Sequence, residues 1–133
     1  MSAPLAEAVL RYAGLGVLPC HTPGHKGGRG AHPLLRRFFT EEGLCADVSL
    51  SAELDDLHAP TGCIRAAEKL AAEAYGADAA YFMVNGTTGA IHTMLMASLV
   101  PGDVVLVPRN VHRSIVGAMI LTGVRPVYLQ PEI

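Results

Sequence analysis

Three short apolar runs separated by helical patterns constrain this chain more than any other feature of it. Ala79-Ala-Tyr-Phe-Met-Val-Asn85, Asp103-Val-Val-Leu-Val107 and Arg125-Pro-Val-Tyr-Leu129 are continuous rather than alternating, and amphipathic or apolar helical stretches fill the gaps. Strands covered on both faces read this way, whereas a strand with one wet face alternates apolar and polar residues. The pattern predicts an α/β fold with strands at 79–84, 103–107 and 124–129 and helices at 61–75, 87–100 and 112–122. No duplicated segment accompanies the spacing, so ordinary βαβ winding is expected rather than a solenoid.

Upstream the pattern is weaker. Residues 3–14 predict a short helix ended by Gly14 and Gly16, residues 33–39 another, and residues 47–50 a short extended piece. Leu18 to Gly30 is too rich in glycine and proline for a regular element and predicts a loop, ordered or not. In the helix at 61–75 the apolar face is read as Ile64, Ala67, Leu70, Ala71 and Ala74, with Arg65, Glu68, Lys69 and Glu73 on other faces.

With 133 residues the chain has room for one domain core but not two. Three strands make a thin α/β sheet, which suggests the front of a longer fold. Residues 1–50 are read as an amino-terminal helix and Gly-rich loop segment, and 51–133 as the first part of a major domain. Ten basic against twelve acidic residues and no tryptophan argue against a nucleic-acid partner. The longest apolar stretch, around Ile115 to Val124, is too short and too interrupted for a membrane span. No signal-peptide order opens the chain, and Cys20, Cys45 and Cys63 show no CxxC spacing, so a cytoplasmic protein with reduced thiols is expected.

Chemistry concentrates in three places. At Asn85-Gly-Thr-Thr-Gly89 an apolar run enters a glycine turn, and a helix begins with two hydroxyl residues. Free amides, the positive end of the helix dipole and two hydroxyls suit a phosphate, although an ordinary threonine N-cap would use the same amides. Arg109-Asn-Val-His-Arg-Ser114 follows the next run, where ligands of open α/β sheets gather. There His112 could stack on a flat ring, or simply start a helix. His21-Thr-Pro-Gly-His-Lys-Gly-Gly28 is a solvated loop or a segment folded closely over a ligand or interface. Pro23 and Gly24 spoil the helical presentation that a His-x-x-x-His metal chelate requires, so no metal is expected. Asp55 and Asp56 are adjacent and read as loop hydrogen-bonding groups rather than a dyad, and His32 and His92 as plain surface or core histidines.

Taken in order, residues 21–28, Leu54-Asp-Asp-Leu-His58, Ala77-Asp78, Asn85–Gly89, Pro101-Gly-Asp103 and 109–114 resemble the amino-terminal part of the Orn/Lys/Arg decarboxylase family, in its smaller bacterial arginine/lysine decarboxylase-like branch. The resemblance implies the start of a fold-type I, aspartate aminotransferase-like major domain that binds pyridoxal 5'-phosphate. It implies a homodimer or larger assembly that decarboxylates arginine, lysine or ornithine, as in polyamine biosynthesis. Gly86, Thr87 and Thr88 match the family's phosphate-binding turn, where Thr-Ser is the commoner pair, and His112 matches the histidine that stacks on the cofactor ring. The Schiff-base lysine of the family is expected beyond residue 133, and neither Lys26 nor Lys69 matches it. No catalytic residue is therefore assigned in this chain, which is expected to be inactive alone. The alternative is a non-catalytic phosphate- or cofactor-binding module completed by a second chain. The resemblance further implies that 103–107 lies parallel to 124–129, with 79–84 farther across the sheet.

Overall fold

A computed structural model describes residues 2–131. They form six helices and two strands: α1 (Pro4–Gly14), α2 (Pro33–Phe38), α3 (Glu41–Cys45), α4 (Cys63–Tyr75), α5 (Gly86–Ser98), β1 (Val104–Pro108), α6 (Arg113–Thr122) and β2 (Arg125–Leu129). Two compact units divide after Phe82. The sequence boundary at 50/51 rests on loop composition and concerns a different division.

In the first unit α1 packs on α4, and Ala8, Leu44, Leu54, Ile64 and Ala72 are buried. A proline in its first turn suits α1, because the amide it lacks would have no helical partner there. The two short helices are started by side chains: His32 accepts the Leu34 amide and Thr40 the Gly43 amide. At the end of α4, Gly76 takes the left-handed conformation, and the Ala77 amide reaches the Ala72 carbonyl at 2.9 Å. The glycine-rich loop is ordered. His25 ties it together, with Nε2 3.0 Å from Asp47 Oδ2 and Nδ1 accepting the Gly28 amide at 3.2 Å.

The buried face of α4 differs from the expected one. Ile64, Glu68 and Ala72, four residues apart, face inward, while Leu70 is exposed. Glu68 is only 3 % exposed. Its Oε1 accepts the Phe82 amide at 3.2 Å and its Oε2 lies 3.5 Å from Arg65 Nη1.

That bond bears on the largest departure from expectation. Residues 79–84 form no strand, so the sheet has two strands and not three. An apolar run becomes a strand only when a neighbour completes its ladder. None does so among the described residues, and the Phe82 amide goes to a carboxylate instead. Residues 47–50 likewise have no regular structure.

In the second unit β1 and β2 pair in parallel, Val104 opposite Arg125 through Pro108 opposite Leu129, with α6 as the crossover. The expected parallel pairing is present. Val107, Met119 and Val124 form the core, with Leu99, Val105 and Ile115 against it, and α5 packs on α6. The bends that precede the two strands are bound together: the Gly102 amide donates to the Gly123 carbonyl at 3.0 Å, and the Arg125 amide to the Asp103 carbonyl at 2.7 Å. All of β2 is exposed, as are Val104 and Leu106 of β1. No described helix is long and apolar enough to cross a membrane.

Candidate functional site

The turn before α5 begins with a backbone constraint. Gly86 sits at φ +66°, where a side chain would be strained, and a Cβ on Gly89 would stand 2.8 Å from Asn85 Cβ. The two glycines let the chain turn into α5 with Asn85 folded over its first turn. Among the described residues the amides of Gly86, Thr87 and Thr88 donate to no acceptor, and the first turn closes only at the 3.3 Å bond from the Gly89 amide to Asn85. No side chain caps α5. Thr87 and Thr88 are exposed, and their hydroxyls make no hydrogen bond among the described residues. The N-cap use of a threonine, open on sequence grounds, is not what the structure shows. Three unpaired amides, two free hydroxyls and the positive end of a 13-residue helix form a donor set for a compact anion.

His112 has a structural task of its own. It is the N-cap of α6, with Nδ1 accepting the Ser114 amide at 3.2 Å and 2.8 Å from the Ser114 hydroxyl. That arrangement fixes the imidazole while its residue stays exposed. Thr87, Thr88 and His112 make no hydrogen bond to one another, but all belong to the second unit, at the starts of two helices that pack together. Arg109, from the same stretch as His112, stacks its guanidinium 5.1 Å from the Tyr128 ring centre.

The acidic pair is spent on the backbone, as its adjacency implied. Asp55 Oδ1 accepts the Thr61 amide at 2.9 Å, and Oδ2 accepts those of Gly62 at 2.8 Å and Ile64 at 3.0 Å, so this carboxylate caps α4 from outside the helix. The Thr61 bond leads the effects that hold its pKa down at about 2. Asp56 Oδ1 takes the His58 amide at 2.9 Å. Of the two lysines, Lys26 donates through Nζ to the His21 carbonyl and Lys69 is exposed on α4. Both lie in the first unit.

Two residues carry more than the sequence suggested. Glu68 is buried beneath Phe82, a position visible in retrospect from its spacing of four from Ile64 and Ala72. His92 lies between α5 and α6, its Nε2 enclosed without a hydrogen-bond partner among the described residues. Nothing in the local pattern marks that contact, because it depends on which helix α5 meets.

Residues 3–133 match the major domain of Orn/Lys/Arg decarboxylases. The chain belongs to that family. The decarboxylase relatives include the arginine decarboxylase of Bacillus cereus, 45 % identical over 98 % of this chain and 28 % of the relative. That of Bacillus subtilis is 47 % identical over 98 % of this chain and 26 % of its own length. The chain thus spans about a quarter of these curated relatives. The solved constitutive lysine decarboxylase of E. coli superposes with a TM-score of 0.85 at 33 % identity, over 98 % of this chain and 19 % of that one. Membership in the Orn/Lys/Arg decarboxylase family accounts for the order of the motifs.

Proposed function

We propose that this chain contributes the phosphate-anchoring turn of a pyridoxal 5'-phosphate site in a decarboxylase of basic amino acids, arginine, lysine or ornithine. The observation that carries the reading is the first turn of α5, where three amides and two hydroxyls stand without protein partners at one helix start. A dianionic phosphate needs several donors, and this turn offers them. Gly86 and Gly89 keep its backbone free of side chains, so the residues present fit the group. Gly86, Thr87 and Thr88 would hold the phosphate, and His112, immobilised by Ser114, would face the ring.

When bound, the cofactor supplies an electron sink for the pair left as CO₂ departs. The chain's own part is to bind and orient: the turn anchors one end of the cofactor and the imidazole limits tilt of its ring. No lysine lies in the second unit, which holds these groups. The reading therefore assigns this stretch to cofactor binding within a fold-type I assembly rather than to catalysis by itself. The exposed apolar residues of β1 and β2 support a working form in which further protein covers them, as in a homodimer. The free cysteines fit a cytoplasmic setting.

Titration of the chain with pyridoxal 5'-phosphate, pyridoxal and inorganic phosphate, followed by ³¹P and amide NMR, tests this. Anchoring through the turn predicts that the phosphorylated cofactor binds at least about tenfold more tightly than pyridoxal, with shifts at residues 86–88. Equal binding of the two would defeat the proposal.

A further inference from the structure

Both α2 and α6 have a histidine as N-cap, and they differ in the residue two places on. In α2 the Leu34 amide donates to His32 Nδ1 at 3.2 Å, and in α6 the Ser114 amide donates to His112 Nδ1 at the same 3.2 Å. The cap is complete with a leucine in that place, so capping does not explain the serine. Ser114 adds a hydroxyl 2.8 Å from the same nitrogen, and the residue is only 4 % exposed. Water reaches that hydroxyl poorly, and among the described residues no backbone carbonyl accepts from it, so the imidazole is its partner.

The direction of these bonds follows from the amide, which can only donate. Nδ1 therefore presents its lone pair, and the hydroxyl that shares it must donate as well. An imidazole whose Nδ1 accepts carries its hydrogen on Nε2. His25 shows what that form does elsewhere in the chain: its Nδ1 accepts the Gly28 amide, and its Nε2 is spent on Asp47. His112 Nε2 has no hydrogen-bond partner among the described residues, and its residue is exposed. Its N–H is unspent.

We propose that Ser114 is a positioning residue, whose hydroxyl holds His112 in the Nε2–H form. The imidazole then enters the ligand site as an uncharged ring and a hydrogen-bond donor, and a lone pair for base or metal chemistry at Nε2 is withheld. The partner such a donor takes is an acceptor oxygen on the ligand. What the donor meets rests on the proposed cofactor reading, but the place of the hydrogen is a property of this chain and is read with nothing bound.

The test is imidazole ¹⁵N NMR of the full chain without cofactor, at about pH 8.5, where an ordinary imidazole is neutral. His112→Gln and His32→Gln assign the signals. His112 should show a pyridine-type Nδ1 and a pyrrole-type Nε2, farther apart in shift than the same pair of His32, whose Nδ1 has a single donor. Ser114→Ala should bring the His112 shifts to those of His32, and Ser114→Thr, which returns the hydroxyl, should restore them. In equilibrium dialysis Ser114→Ala should weaken pyridoxal and pyridoxal 5'-phosphate alike, by about threefold to tenfold, because the imidazole acts at the ring and not at the phosphate. A hydrogen on Nδ1, or equal separations at His112 and His32, would overturn the proposal in the wild type without any variant. So would unaltered His112 shifts in Ser114→Ala, or altered shifts with undiminished binding of both ligands. A wild-type chain that bound neither ligand would count against the cofactor reading, and the shifts would still decide this one.

Discussion

His92 of α5 reaches across to α6 so closely that a Cβ on Gly117 would stand 3.1 Å from its Nε2. The small residue is what lets the imidazole fill the seam between these helices. Gly117→Ala should therefore lower stability by about 1–3 kcal/mol in denaturant unfolding, despite the better helix propensity of alanine. In a His92→Ala background the same change should be neutral or stabilising, because the clash is gone and the propensity remains. A double-mutant cycle with no coupling would show that the two residues do not constrain each other.

Asp55 caps α4 with a carboxylate whose pKa is held at about 2, against an ordinary value of 3.8. A folded-state pKa below the unfolded one means stabilisation that is complete above the unfolded value and lost as the pH falls towards about 2. Asp55→Asn should therefore lower the melting temperature near neutral pH, and its deficit relative to the wild type should shrink between pH 3.8 and about 2. Thermal melts across that window decide it; a deficit independent of pH would mean the charge is not what caps the helix.

Glu68→Ala should cost about 1–3 kcal/mol in urea unfolding, since it leaves the Phe82 amide without an acceptor beneath a buried helix face. Glu68→Gln, which keeps a carbonyl oxygen in reach, should cost clearly less. Equal losses in the two variants would shift the cause from the hydrogen bond to the charge.

Thr88→Ala should weaken retention of pyridoxal 5'-phosphate by about 1–2 kcal/mol through loss of one hydrogen bond to a charged group, and leave pyridoxal binding unaltered. Equilibrium dialysis of the two ligands separates these cases. A parallel loss for both would point to damage in α5 rather than to phosphate contact.

Much of the second unit was legible because its signals are local. The apolar runs at 103–107 and 124–129 lie one helix apart, so period and turn residues locate them, while their parallel pairing was implied by the family resemblance. The turn at 86–89 was legible for the same reason: glycine, hydroxyl residues and a helix start are adjacent in sequence. Residues 79–84 misled because strand character belongs to a pair and not to a run. Glu68 misled because charge argued for a wet face, while the spacing from Ile64 to Ala72 and the waiting Phe82 amide prevailed. The sequence allowed His112 to be a ring-stacking group or a helix start, and the structure shows that it is a helix start.

The β1, α6 and β2 succession also has a consequence in time. Parallel strands usually assemble slowly, because a long connection must close before any ladder bond forms. Here a single 10-residue helix makes the whole return, and the Gly102 and Gly123 bends meet as soon as it is complete. The loop-closure cost is therefore near the least a parallel pair can have. This piece of the chain is suited to form early, on contacts that lie wholly between Gly102 and Leu129, and to serve as a seed onto which slower, more distant pairings are added.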